Sequence, residues 1–169
     1  MDAIAGPVDF SAIYMKYGQD VFRFVFYLSG NREDAEDITS ETFVRAFASS
    51  GKIEMPTVKA YLFAIARNLF LMGLRSGHRR RVGDEEGVER ADTAPGPLEL
   101  FEQRAALGAV WGELQKIPEP DRTALLMRSL DGMPYEEIAQ TLKISVSSAK
   151  VKVHRARALL MKKHQGGLL

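Results

Sequence analysis

The 169-residue chain contains no cysteine, which excludes a disulfide framework and a thiolate metal site and fits the reducing cytoplasm. Its histidines, His78, His154 and His164, stand in basic surroundings rather than beside carboxylates at ligand spacing, so no metal site is expected. There is no glycine-rich phosphate loop and no nucleophile with a recognisable base nearby. Neither a catalytic residue nor a cofactor is therefore expected, and the chain does not read as an enzyme. Long apolar runs are also missing, and the start, MDAIAGPVDF, has neither the charged n-region nor the apolar stretch of a signal peptide. No membrane insertion is expected. Excess charge of one sign is absent too: a formal net charge of +1 means that affinity for nucleic acid must come from local clustering. Strict polar and apolar alternation is found over no useful length, which argues against a sheet.

What the chain does have is helical periodicity. Phe10, Ile13, Tyr17, Val21, Phe24 and Leu28 recur at helical spacing, with Gly18 as a candidate break between two shorter helices. Asn31 suits an N-cap, with Glu33, Asp34 and Glu36 in the first turn, Ala35, Ile38, Thr42 and Ala46 inward, and Gly51 as the stop. Pro56 and Thr57 open a third helix lined by Tyr61, Leu62, Ile65, Leu69 and Met72. Pro97 opens another, through Trp111, Leu114 and Ile117, broken at Pro118 to Pro120. One more runs from about Asp121 to Asp131, with Gly132 as its C-terminal stop. Between these sets the composition breaks. Residues 77–96 hold Arg79 to Arg81, then acids from Asp84 to Glu89, then Thr93-Ala94-Pro95-Gly96, with almost nothing to bury. The expected fold class is all-α, two small helical domains over 1–76 and 98–169 joined by a flexible linker, 77–97.

The last quarter is the most informative. In YEEIAQTLKISVSSAKVKVHRAR, Tyr135 to Arg157, the residues Tyr135, Ile138, Ala139 and Leu142 bury one face of a short helix, with Glu136 and Glu137 outside. Thr141 to Ile144 makes the break, and Ser145 caps a new helix from Val146. Ala149, Val153 and Ala156 form its inward stripe. Ser147, Ser148, Lys150, Lys152, His154, Arg155 and Arg157 are left outward, and no acid occurs from Lys143 to Lys163. A basic amphipathic helix on its own is most simply a solvated surface. With the tight turn and the buried stripe it is a helix-turn-helix whose second helix enters a DNA major groove. Lys150 and Arg155 suit guanine edges or phosphates, Lys152 suits phosphate, and Ser147 and Ser148 suit the DNA backbone near the helix start.

Two stretches of the first half exceed what a bundle needs. Glu33, Glu36, Asp37, Ser40, Glu41 and Arg45 form a polar ridge. In KAYLFAIARNLFLMGLR, Tyr61, Phe63 and Phe70 interleave with Lys59, Arg67, Asn68 and Arg75, a mixture suited to single-stranded DNA because bases stack on rings while cations follow phosphates. Taken alone, most of these aromatics would sooner be core, and only Arg67 and Asn68 resist that reading.

These segments in this order, NREDAEDITSETFVRAF, KAYLFAIARNLFLMGLR, a linker, then IPEPDRTALLMRSLDGMPYEEIAQTLKISVSSAKVKVHRAR, resemble the extracytoplasmic-function sigma factors of bacterial RNA polymerase, within the sigma-70 family. The resemblance runs from about Phe10 to Arg157. It implies a region 2-like bundle and a region 4-like helix-turn-helix domain. It implies that Asp37, Ser40 and Glu41 meet the clamp coiled coil of the largest polymerase subunit, with a further contact to the flap of the second-largest. Lys59, Tyr61, Phe63, Arg67 and Asn68 would take the minus-10 element, with the loop Ser50 to Thr57 helping to melt it. Ser147, Ser148, Lys150, Lys152, His154 and Arg155 would take the minus-35 element. An anti-sigma factor is the implied regulator, and promoter DNA and core polymerase are the implied partners. The chain departs from the family at Tyr61, where Trp is frequent, near Met72, where Asp is usual, at Lys143, where Gly is usual, and at Val151 and Lys152, where Ser and Arg are common. A stand-alone helix-turn-helix regulator explains only the carboxy-terminal half, and a purely structural helical adaptor leaves the acid-free helix without a purpose.

Overall fold

A computed structural model of the chain describes residues 9–49, 57–76 and 110–164. The linker, most of the loop before Thr57, the Gly51 stop and the Pro97 helix start lie outside the described residues. All elements among those described are helices.

The first helix, α1, spans Phe10–Ser29 and is capped by Asp9, whose carboxylate accepts from the Ala12 N–H at 3.1 Å. It runs unbroken through Gly18, contrary to the break expected there. Gly18 is buried, and a Cβ on it would sit 3.6 Å from the Tyr14 ring. A mid-helix glycine costs about 1 kcal/mol against alanine, less than the stabilisation from packing a 20-residue helix along its Tyr17, Val21, Phe24 and Leu28 face. The chain turns at Gly30, φ 73°. Asn31 then caps α2, Arg32–Ala48, accepting from the Asp34 N–H at 2.8 Å. Ala35, Ile38, Thr42 and Ala46 face inward as their spacing predicts. The helix stops before Gly51, where the Ser49 hydroxyl donates to the Arg45 carbonyl at 3.1 Å. Thr57 caps α3, Val58–Ser76, by accepting from the Ala60 N–H at 3.1 Å. The three helices form a bundle around Phe24 and Phe63, whose rings stack at 4.5 Å between centroids. Met72, expected to line the packed side of α3, is exposed together with Leu74.

In the second half, the helix expected to run through Ile117 is helical over 110–114 and then turns. The buried Arg122 guanidinium explains the stop: its Nη1 donates to the carbonyls of Leu114, Gln115 and Ile117 at 3.3, 3.3 and 3.1 Å, taking up acceptors that a longer helix would use internally. Next come α4, Glu119–Asp131, α5, Tyr135–Leu142, and α6, Val146–His164. Gly132, φ 61°, ends α4 as expected. Lys143 ends α5 in the same left-handed conformation, φ 59° and ψ 49°, and the Ser145 hydroxyl then caps α6, accepting from the Ser148 N–H at 3.0 Å.

The two halves pack against each other, α4 on α1 and α5 on α3. Trp111 meets Phe26 with ring centroids 4.5 Å apart, and Gln115 Nε2 donates to the Tyr27 carbonyl at 2.9 Å.

Candidate nucleic-acid interface

The reading surface is built on α6. Ala149, Val153 and Ala156 are fully buried against α4 and α5, which leaves the opposite face free. Ser147, Val151, His154 and Arg155 are exposed on that face, with Ser148 half-buried at its edge. Lys150 lies on the α5 flank, its ammonium 5.8 Å from the Tyr135 ring centroid, where the Arg128 guanidinium also stacks at 4.5 Å. Lys152 lies on the α4 flank. The expected residues are thus brought together along one helix, but they differ in freedom. Arg155 and Lys152 both address Asp121, at 3.0 and 3.8 Å, and the bond to Asp121 raises the Arg155 pKa from its ordinary value.

Val151, noted from the sequence only as a departure from the family and not as a contact residue, is 51% exposed at the centre of the outward face. The signal was present in the count: Ser147, Val151, His154 and Ala158 succeed one another at helical spacing opposite the buried stripe.

On α2, Asp37, Ser40 and Glu41 are all exposed, as the ridge predicts, and Glu41 accepts from Arg45 Nε one turn on at 3.0 Å. The α3 group divides. Asn68 is exposed and Tyr61 half-buried. Phe63, expected to face DNA, sits instead in the core with no exposed area, stacked on Phe24. Its spacing to Ala66 and Phe70, both buried, marks the packed face of α3.

Arg67 and Lys59 turn toward the second half of the molecule. Arg67 donates to both Glu119 oxygens at 2.6 and 2.9 Å, and Thr123 also donates to Glu119 at 2.7 Å. Burial pushes the Glu119 carboxyl up, but the Arg67 and Thr123 hydrogen bonds, with Arg122 adding to them, outweigh it and hold the pKa below the ordinary glutamate range. Lys59 sits 3.3 Å from both Asp20 and Asp131. Burial pulls its pKa down, yet the two carboxylates together hold it above the ordinary lysine value. Asp131 fares worse: burial, with the Asp20 charge adding to it, lifts its carboxyl above the ordinary range despite the shared ammonium, and its Oδ2 is buried without a hydrogen-bond partner. Thr57 Oγ1 donates to Glu137 at 3.3 Å, so Glu137, expected to stay outside, is drawn into this junction. Glu119, Asp131 and Glu137 carry no sequence signal for this, because their partners lie 52, 72 and 80 residues away.

The chain matches the family models for sigma-70 region 2 over residues 13–81 and sigma-70 region 4 over 107–160. It is 36% identical over 143 residues to the ECF RNA polymerase sigma factor EcfG of Rhodopseudomonas palustris, covering 81% of this chain and 75% of that one. It is 30% identical over 159 residues to SigM of Bacillus subtilis, covering 92% and 95%.

The chain belongs to the ECF sigma factors of the sigma-70 family.

It is thus a transcription initiation factor of RNA polymerase and not an enzyme. Another ECF relative, SigE of Mycolicibacterium smegmatis, is 32% identical over 147 residues, or 86% of this chain, which spans 57% of that longer protein. In fold this sigma factor is similar to RpoE of Bartonella quintana, solved in complex with the anti-sigma factor NepR, with a TM-score of 0.71 at 23% identity over 95% of this chain and 99% of that one. CnrH, solved with the cytosolic domain of CnrY, gives the same TM-score at 22% identity over 94% and 89%. Among the described residues, no helix is long and apolar enough to cross a membrane, and no group of side chains has the composition of a metal site.

Proposed function

We propose that this sigma factor brings core polymerase to a small set of promoters by reading the minus-35 duplex with α6 and taking the minus-10 strand on α3. The observation that supports it most is the outward face of α6, free of acids and held rigidly across α5 by a buried alanine and valine stripe. Ser147 and Ser148 sit at the helix start, where hydroxyls and amides meet phosphate. Lys150, Lys152 and Arg155 supply the charge, His154 offers a further hydrogen-bonding group, and Val151 offers an apolar contact to a thymine methyl group. On α3, exposed Asn68 and half-buried Tyr61 are placed to hold an extruded base, with Lys59 and Arg67 for its phosphates.

Both cations are engaged by the second half in the arrangement described above, so the minus-10 role requires the halves to separate. Core polymerase supplies that separation when the clamp coiled coil binds Asp37, Ser40 and Glu41 and the flap binds the second domain. An anti-sigma factor, as NepR is to the Bartonella quintana neighbour solved in complex with it, would hold the halves together and keep the protein in the cytoplasm inactive.

The test is reconstituted transcription with bacterial core polymerase and a promoter library, comparing the native chain with one carrying Asp37→Lys and Glu41→Lys. Transcripts that need the chain and disappear with the charge-reversed face are expected. Tight duplex binding with no core binding would make the protein a stand-alone regulator and overturn the proposal.

A further inference from the structure

We infer that Asp121 is a positioning residue for promoter reading: it fixes the Arg155 guanidinium so that the free edge of that group is presented to a guanine of the upstream duplex. This rests on the reading of α6 as the helix that enters the duplex.

Asp121 stands in the first turn of α4 with its side chain 4% exposed, facing across to α6. Its Oδ2 accepts from Arg155 Nε at 3.0 Å and its Oδ1 from Nη2 at 3.2 Å. A guanidinium can meet a pair of acceptors along its Nε and Nη side or across its two Nη ends, and the carboxylate occupies the first. The second edge remains, on a side chain that is 58% exposed at the border of the reading face. Guanine presents O6 and N7 in the major groove as a matching pair of acceptors. An unrestrained arginine must give up much of its rotamer freedom to be fixed there, whereas the Asp121 bonds already orient Arg155 in the folded protein.

The sign of the charge makes the arrangement informative. A surface that only attracts phosphate is weakened by a carboxylate among its cations, since each neutralised cation forgoes counterion release. Asp121 sits against two of them, Arg155 and Lys152. Its placement is accounted for when orientation counts for more than charge. The competing account is a strut that joins α4 to α6 and has no influence on which base is read.

The experiment uses the full chain assembled with bacterial core polymerase on promoter duplexes randomised in the upstream element. It compares the native protein with Asp121→Asn, Asp121→Leu, Arg155→Lys, and Arg155→Lys combined with Asp121→Asn. The native assembly should prefer guanine at one position, and Arg155→Lys should remove that preference. Asp121→Asn and Asp121→Leu should reduce it about tenfold while changing binding to duplexes without that guanine less than about twofold. In the Arg155→Lys background, Asp121→Asn should have no further effect on base preference. A uniform loss over all duplexes that tracks a fall in melting temperature would establish the strut and overturn the proposal. So would tighter binding to every duplex with base preference unchanged, the mark of charge removal alone, or a native preference that Arg155→Lys leaves intact. If Asp121→Leu does not fold, the near-isosteric Asp121→Asn and the Arg155→Lys pair still decide. A native assembly that binds no duplex in the library would overturn the reading of α6 itself.

Discussion

Lys143 is the one non-glycine residue with positive φ among those described. The left-handed region crowds Cβ against the following carbonyl and costs roughly 1–2 kcal/mol outside glycine. The surrounding turn imposes it: the N–H of Ile144 reaches back to the Ala139 carbonyl at 2.9 Å and that of Lys143 to Gln140 at 3.3 Å, closing the end of α5 so that α6 can cross it. Replacing Lys143 with Gly should therefore stabilise the protein by about 0.5–1 kcal/mol once the added freedom of the unfolded chain is subtracted. That is a rise of a few degrees in melting temperature for a chain of this size. A fall in melting temperature would mean that the lysine side chain stabilises the turn by more than its backbone costs. The turn itself was legible without a glycine, because the apolar spacing on either side of it leaves no other place for the chain to reverse. Phe63 was legible only through its spacing with Ala66 and Phe70, since counting aromatics and cations along α3 finds the right chemistry but says nothing about which side of the helix carries it.

Elements were legible where a cap or a stripe marks them and illegible where a distant side chain sets the boundary. Asn31 and Ser145 announce α2 and α6, and both hydroxyl or amide oxygens accept the backbone N–H three residues on. The end of the 110–114 helix is different, since it is set by Arg122 donating to the carbonyls left open there. The α2 cap offers a test because this helix is mostly polar on the face that carries Asp37, Ser40 and Glu41. Asn31 is buried, so Asn31→Ala removes an acceptor that no water replaces and should cost about 1–2 kcal/mol of stability. Fraying of the first turn should also weaken core polymerase binding several-fold, measured by competition with the native chain at a temperature where both are folded. Asp37→Ala should weaken that binding with no change in melting temperature. If Asn31→Ala lowered stability and left polymerase binding untouched, the ridge would not depend on the order of α2.

At the scale of the whole molecule, the contact between the two halves was invisible to sequence reading, because no local pattern specifies a pair of ions 52 or 72 residues apart. The two ion pairs there are not equivalent, and the difference makes a prediction. Arg67 and Glu119 form a two-point bond between groups whose side chains are only 17% and 15% exposed. The Glu119 pKa is lowered, so its contribution is complete above the ordinary glutamate range and is lost as pH falls through the lowered value. Asp131 has the opposite sign. Its pKa is raised by burial, so the packed arrangement prefers it protonated and gains as pH falls through that raised value. Glu119→Gln should loosen the junction by about 1.5–3 kcal/mol, the range for a hydrogen bond to a charged group, which corresponds to roughly ten- to a hundredfold more of the separated form. Asp131→Asn should leave the junction intact or tighten it, because it removes a desolvation cost and Lys59 keeps Asp20 as its partner. Energy transfer between fluorophores on the two halves reads separation directly, and binding of a single-stranded minus-10 oligonucleotide by the free chain reads its consequence. Glu119→Gln should lower transfer and bind the oligonucleotide at least tenfold more tightly, since Arg67 is then released. Asp131→Asn should do neither. Equal opening by both substitutions would show that the junction is held by charge of any kind, and no opening by either would place its strength in the Trp111 and Phe26 contact instead.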